Sequence, residues 1–362
     1  ARELVDQLRS RGVEVTIVTT FWNGGTPEGR HGACRILRVP DTTSVLGRWG
    51  SVGDAHYWSW GYGVGRLLRS KKLTSRPDIV HALSPVASTP SLIRFRLPIV
   101  TTFHHYEGMR SWTDMLYKPF HKILESRAYN ESTLVTTPSQ ASATTLREIY
   151  GVKPERIRVV PWGVDLVRFR PMPRPTGSEL RILFVGPHER RKGLVFLLQA
   201  IAELKREGIP AKLTTVGGGS QLPELRRFAS DLGISDRVTF AGYIDDSEDL
   251  ALRHQYSEAD VFVLPSLREG FGFVLVEAMA SGLPVIASRV SSMPEVVGDA
   301  GILVPPQDPT ALAEALRSLG ADSARRRDLG RMGRHRAEAL FGWERVTARL
   351  TALYEEALRI LA

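Results

Sequence analysis

Residues 261–288 constrain the chain more than any other stretch. Val261, Phe262, Val263 and Leu264 form an unbroken apolar run stopped by Pro265, which reads as a parallel strand buried on both faces. A loop follows in which Gly270 and Gly272 stand on either side of Phe271, so the backbone can turn sharply and bring its N–H groups close to a ligand. Helical spacing then takes over, with Val274, Ala278 and Met279 on one face, until Gly282 and Pro284 end it before a second strand at 285–287. The order is strand, glycine loop, helix, strand.

Such a unit favours an anion. The first N–H groups of a helix lack internal partners and its dipole leaves partial positive charge there, so a phosphate is well placed over Gly270, Phe271, Gly272 and Phe273. Two carboxylates bracket the place: Glu269 in the loop, and Glu277 eight positions later inside the helix. A carboxylate beside bound phosphate repels it, so the functional reading gives both glutamates hydroxyl groups, as on a ribose or a sugar. The plainer alternative is a first-turn Glu complementing the dipole and a solvated Glu in mid-helix.

Glu269, seven residues and Glu277, enclosing Gly270-Phe271-Gly272, resemble the signature of the family 4 retaining glycosyltransferases. The resemblance implies the α/β GT-B fold, two doubly wound, Rossmann-like parallel-sheet domains facing across a cleft. It also implies roles: Glu269 on hydroxyls of the donor sugar, the loop N–H groups on its diphosphate, and Glu277 on the ribose.

The chain has 362 residues, 43% hydrophobic and 24% charged, as expected of a globular protein of about two domains. No apolar run reaches the roughly 20 residues that span a bilayer. The single cysteine, Cys34, excludes an internal disulfide and a cysteine metal cluster and fits the cytoplasm. A net charge of +9 suits nucleic acid, an anionic membrane surface or phosphorylated substrates, without choosing among them.

The first twelve residues read as an amphipathic helix, with Leu4, Val5 and Leu8 inward and Gly12 at its end, and 14–20 read as a strand. Doubly wound domains usually begin with a strand and a glycine turn, so the expectation is a chain truncated at its start. Further strands are expected at 35–39, 78–82, 99–103, 133–137 and 157–160, alternating with helical material as in a parallel sheet. Residues 51–72 place Tyr57, Trp58, Trp60 and Tyr62 before Arg66, Arg69, Lys71 and Lys72. Two readings stay open there, a core-packed helix with a basic end, or a surface for an anionic membrane at its inner face. His104 ends the strand at 99–103, where open α/β sheets place their ligands. Thr101-Thr102-Phe103-His104 resembles the family's Thr-x-His strand end, which implies that His104 approaches the donor sugar.

Residues 158–165 with Phe169 resemble the family's crossing between domains, where Asn usually precedes the glycine and this chain has Trp162. The Pro- and Gly-rich stretch that follows gives the expected division: residues 1–170 as the acceptor-side domain, 171–179 as linker, 180–340 as the donor-binding domain, and 341–362 as a last helix returning to the first domain. Strand 181–185 leads into Gly186-Pro187-His188-Glu189-Arg190-Arg191-Lys192-Gly193. Three bases before a helix are unfavourable unless an anion sits there; a solvated basic turn is the alternative. In the family, bases at both ends of this loop hold the diphosphate. Lys192 matches, Pro187 stands where an Arg is usual, and Arg191 or Arg190 is the substitute. Gly217 ends a strand that resembles the one beneath the nucleotide, and Tyr243 to Asp246 fall near the base. No metal is expected, since Asp245-Asp246 reads as a turn before a helix. The basic helix at 324–339 reads as a solvated face.

The resemblance therefore implies a metal-independent, retaining hexosyltransferase without a cofactor. Its site is expected to be catalytic His104, Glu269 and Lys192, with Arg191, Gly217, Gly270, Phe271, Gly272, Phe273 and Glu277 on a UDP- or GDP-sugar donor. A carbohydrate or lipid-linked acceptor is expected, and no nucleic acid. The rivals are a non-catalytic nucleotide-sugar binder, a GT-B phosphorylase and, from charge alone, a nucleic-acid module.

Overall fold

The computed structural model describes residues 2–20, 28–31, 34–39, 64, 67, 76–83, 97–104, 112–174, 177–244 and 249–361. They form two compact units, residues 1–160 with 346–362, and 161–345. The aromatic and basic stretch at 51–72 lies outside the described residues except for Val64 and Leu67, as do His105 and Asp245-Asp246.

The first unit opens with α1 (Arg2–Ser10), whose Leu4, Val5 and Leu8 are buried. β1 (Thr16–Thr20) pairs in parallel with β3 (Cys34–Val39), and β2 (Glu28–His31) pairs antiparallel with β3. The Cys34 thiol is buried and donates to the Val15 carbonyl at 3.1 Å. A second, all-parallel sheet runs in the order β4 (Val80–Ala82), β5 (Ile99–Thr102), β6 (Leu134–Thr137), β7 (Ile157–Val159). Between its strands come α2 (Trp112–Glu131) and α3 (Gln140–Tyr150). Ser139 caps α3 by accepting from the Ser142 N–H at 3.1 Å, which satisfies an N–H that has no helix partner. Phe103, Tyr129 and Tyr150 meet edge to face in this unit's core. Antiparallel β2 departs from the alternation expected of the sequence.

The second unit carries the larger core. Its six strands are all parallel: β8 (Leu180–Val185), β9 (Ala211–Val216), β10 (Val238–Gly242), β11 (Val261–Leu264), β12 (Val285–Ser288) and β13 (Gly301–Val304). Their spatial order is β10-β9-β8-β11-β12-β13. Every residue of β11 and β12 is buried, as the unbroken apolar runs require of strands covered on both faces. The covering helices are α4 (Leu194–Arg206), α5 (Leu222–Asp231), α6 (Asp249–Glu258), α7 (Phe273–Ala280), α8 (Met293–Val297), α9 (Pro309–Ala321) and α10 (Ser323–Leu340). Asp308 caps α9 by accepting from Ala311 N–H at 2.9 Å.

Grouped by contact, the first unit ends at Val160, so the stretch at 171–179 falls within the span of the second. Val164 N–H donates to Phe341 O at 2.7 Å, Phe169 is buried in the second core, and Arg174 donates to Ser281 O at 2.8 Å. One expectation is corrected: the basic helix α10 is not a wholly solvated face. Arg334 donates to the carbonyls of Leu166, Phe169 and Ala280, and Arg336 to those of Glu295 and Val296. The last helix, α11 (Trp343–Leu361), belongs to the first unit from Val346 onward, where Glu356 pairs with Arg158. No described helix is long and apolar enough to cross a membrane.

Candidate functional site

In the second unit the strand order reverses between β8 and β11. Such a switch point splays the loops at the carboxyl ends of the two strands and leaves a crevice for ligands. The loops that leave it are 186–193 after β8 and 265–272 after β11, the two stretches singled out by the sequence.

The loops are joined by backbone and by charge. Leu267 N–H donates to Arg191 O at 2.7 Å. Gly193, at φ 67°, lets the first loop press against the second, for a Cβ there would lie 2.0 Å from Pro265 O. Lys192 closes a single turn of 3-10 helix, and its ammonium pairs with the Glu269 carboxylate. Their side chains are only 7% and 10% exposed. Glu269 also accepts from Ser266 Oγ at 3.5 Å and from the Gly270 N–H at 3.2 Å, while its own N–H donates to Ser291 Oγ at 3.4 Å. Taking two charges out of water is costly and needs such extra donors to be tolerated. A buried pair in a loop crevice is therefore a candidate for function.

The remaining expected residues of this unit lie on the same framework. Gly272 opens α7 and its carbonyl accepts from Leu275 N–H at 2.9 Å; Phe271 is buried and Phe273 exposed. Glu277, one turn into α7, accepts from Tyr256 Oη at 2.8 Å. Burial pushes the Tyr256 phenol well above its usual range, and the adjacent Glu277 charge adds to this, so Tyr256 stays a donor. Gly217 passes so close to the first loop that a Cβ would meet Gly186 O at 2.1 Å. His188 N–H donates to Gly218 O at 2.8 Å. Its wholly buried imidazole lies against Phe184 and Phe240, and burial, then Arg226, lowers its pKa. Arg191 pairs with Glu189 at 2.8 Å, whereas Arg190 is exposed and has no carboxylate partner among the described residues. Tyr243 is 75% exposed.

His104 belongs to the first unit. It follows β5 and its Nε2 lies 2.6 Å from Leu83 O. Behind it, His81 of β4 bridges Thr102 Oγ1 at 2.7 Å and Tyr354 Oη at 2.6 Å. Burial, and secondarily the neighbouring His104, lower the His81 pKa to about 4. The structure thus brings Lys192, Glu269, Arg191 and Gly270 together in one crevice, with Glu277 and Gly217 on its frame, and sets His104 in the other unit. Sequence reasoning missed Tyr256, Ser266, Ser291 and His81. Ser266, a hydroxyl directly after an apolar strand, carried a readable signal. Among the described residues no group of three or more His, Cys, Asp or Glu could hold a metal.

Residues 1–168 match the model described as Glycosyltransferase Family 4, and residues 179–322 the one described as Glycosyl transferases group 1. An MMP alpha-(1->4)-mannosyltransferase of Mycolicibacterium hassiacum is 33% identical over 97% of this chain and 80% of its own length. A sucrose-phosphate synthase of Thermosynechococcus elongatus superposes with a TM-score of 0.79 and 26% identity, covering 99% of this chain and 92% of that one. HepE of Anabaena, solved with UDP and glucose, has the same fold, with a TM-score of 0.74 and 18% identity over 98% of this chain and 94% of its own.

Proposed function

This chain belongs to the family 4, group 1 glycosyltransferases and has their GT-B fold, and from that premise we propose that it moves a hexose from a nucleotide diphosphate sugar to a carbohydrate or lipid-linked acceptor, with retention and without a metal. The observation that carries the proposal is the meeting of Lys192 and Glu269 at the switch point of the second unit, beside the start of α7. Departure of a nucleoside diphosphate concentrates negative charge. In this reading the Lys192 ammonium and the first N–H groups of α7 receive it, and such fixed donors are usually the largest catalytic contribution. Glu269 then accepts from hydroxyls of the hexose, and Glu277, held by Tyr256, from the ribose. His104 is the residue that the resemblance assigns to the transferred sugar. Retention follows if the departing phosphate takes the acceptor proton on the face it leaves.

The mannosyltransferase relative supports a hexose donor, and the neighbour solved with UDP and glucose supports a nucleotide that carries one. The chain's charge of +9 supports an anionic acceptor surface, including peripheral contact with a membrane. Pro187, with Arg191 taken up by Glu189, favours a second reading, a binder that does not turn over.

The test is a thermal-shift panel of UDP, GDP, UDP-glucose, UDP-N-acetylglucosamine and GDP-mannose with EDTA present. At 100 times its Kd a ligand stabilises by about 2.7 kcal/mol, and the expected result is one nucleotide series raising the Tm by several degrees. No shift from any series overturns the reading. A shift without turnover on any glycan, inositol or lipid acceptor favours the binder.

A further inference from the structure

Among the described residues only Ser291 and Gln307 hold a positive φ without being glycine. That conformation brings a Cβ against a carbonyl oxygen and lowers stability, which a glycine there would not do. Gln307 lies in the turn that leads to Asp308, the cap of α9. Ser291, at φ 50°, lies in the turn after β12, and that turn is fixed on both sides. Arg289 N–H donates to Val304 O at 2.7 Å, Met293 N–H donates to Val290 O at 3.0 Å, and Ser292 and Met293 are wholly buried. Ser291 itself is exposed, so packing in the core does not account for a side chain at this position. Backbone strain kept where packing does not require it points to a function.

The side chain is used as an acceptor: Ser291 Oγ takes the Glu269 N–H at 3.4 Å. β12 and β11 are parallel neighbours, with Ala287 opposite Leu264, which brings the turns after them side by side. Glu269 is thereby held from three loops, its carboxylate by Lys192 after β8 and by Ser266 and Gly270 after β11, its peptide by Ser291 after β12. The contacts on the carboxylate compete with whatever the carboxylate binds; the contact on the peptide does not. While the loop is open, water can take the place of Ser291 Oγ. Once a hexose covers the loop, an N–H without an acceptor carries its full desolvation cost. Resting on the transferase reading above, we infer that Ser291 is a positioning residue for the donor sugar, whose hydroxyl fixes the Glu269 peptide and keeps its N–H satisfied when the hexose excludes water. The left-handed φ is tolerated because it directs that hydroxyl at Glu269.

Calorimetry tests this with UDP, UDP-glucose and UDP-N-acetylglucosamine, or with GDP and GDP-mannose, whichever base raises the wild-type Tm. The quantity read is the Kd of the tightest nucleotide sugar divided by that of its nucleoside diphosphate. Ser291→Gly removes the hydroxyl and the strain together, so its Tm is expected at or above that of wild type, while the ratio rises about fivefold. Ser291→Ala should raise the ratio as much with the strain kept. Ser291→Thr retains a hydroxyl but puts a branched side chain at φ 50°, so its ratio should stay near that of wild type while its Tm falls. If the Thr variant does not fold, the Gly and Ala variants carry the test. An unchanged ratio in Gly and Ala overturns the assignment and leaves the transferase reading standing. So does a loss of affinity for the nucleoside diphosphate equal to that for the nucleotide sugar, or a ratio that follows the Tm through all three variants. If no nucleotide binds the wild-type protein, the transferase reading fails and this inference with it.

Discussion

Lowering the pH is expected to loosen the first unit at β4 and β5, through His81. Its ring is held between Thr102 and Tyr354 and withdrawn from water, and its pKa falls from 6.5 to about 4. Both partners are hydroxyls, able to accept as well as donate, so protonation does not sever the bonds. The cost is that of placing a charge away from water and beside His104. Because the folded pKa is depressed, the neutral ring's stability is fully present above about pH 6.5 and is lost as pH falls, down to about pH 4. The whole difference is worth roughly 3 kcal/mol. By about pH 5, roughly 2 kcal/mol of it is gone, a thirtyfold change in the opening equilibrium.

Hydrogen exchange read by mass spectrometry on peptides covering 76–83 and 97–104 measures this where it occurs, after correction for intrinsic rates. A local probe is needed because His188 in the second unit is also held neutral by burial and weakens that unit in the same direction. Wild-type protection of β4 and β5 should fall about thirtyfold between about pH 7.5 and pH 5. His81→Gln should start from lower protection, having lost a bridge between Thr102 and Tyr354, but should lose little more on acidification. An equal pH-dependent loss in wild type and His81→Gln refutes the reasoning.

Glu269→Gln removes the carboxylate that neutralises Lys192, so nucleoside diphosphate affinity should rise about threefold or more while transfer falls by more than about a hundredfold; a weaker calorimetric Kd would contradict the assigned roles. Tyr256→Phe takes away the donor to Glu277 and should cost about 2 kcal/mol in urea unfolding, with a raised donor KM at nearly unchanged kcat. Gly193→Ala drives a Cβ to 2.0 Å from Pro265 O at a φ of 67°. It should destabilise the second unit by about 3 kcal/mol or more and abolish the nucleotide-induced shift; a Tm within a degree or two of wild type would show that the two loops are not pressed together.

Residues 261–288 could be read at once because every signal in them is local: an apolar run, two glycines, a helical stripe. The short polar strand β2 escaped because Glu28–His31 has no apolar alternation, its pairing being decided by β3. The stretch at 171–179 has a linker's composition, but composition does not report that Arg334, far along the chain, caps the carbonyls of Leu166 and Phe169 beside it. Within the candidate site, the residues proposed to face a ligand were legible and those that hold them were not. A diphosphate restricts which residue types can face it, so Lys192 and the glycine loop suggest that role by their own identities. Orienting Glu277 requires only some donor at the right distance, and nothing about Tyr256 marks it as the one chosen. The pairing of Lys192 with Glu269 lies between these cases. They are 77 residues apart and meet because β8 and β11 are neighbours, a consequence of the strand order. In a doubly wound unit that order is a rule of the architecture. Two glycine-bearing loops after the first and fourth strands of such a unit must therefore share a crevice, and a base on one with an acid on the other can be assigned to a single site before any coordinates exist.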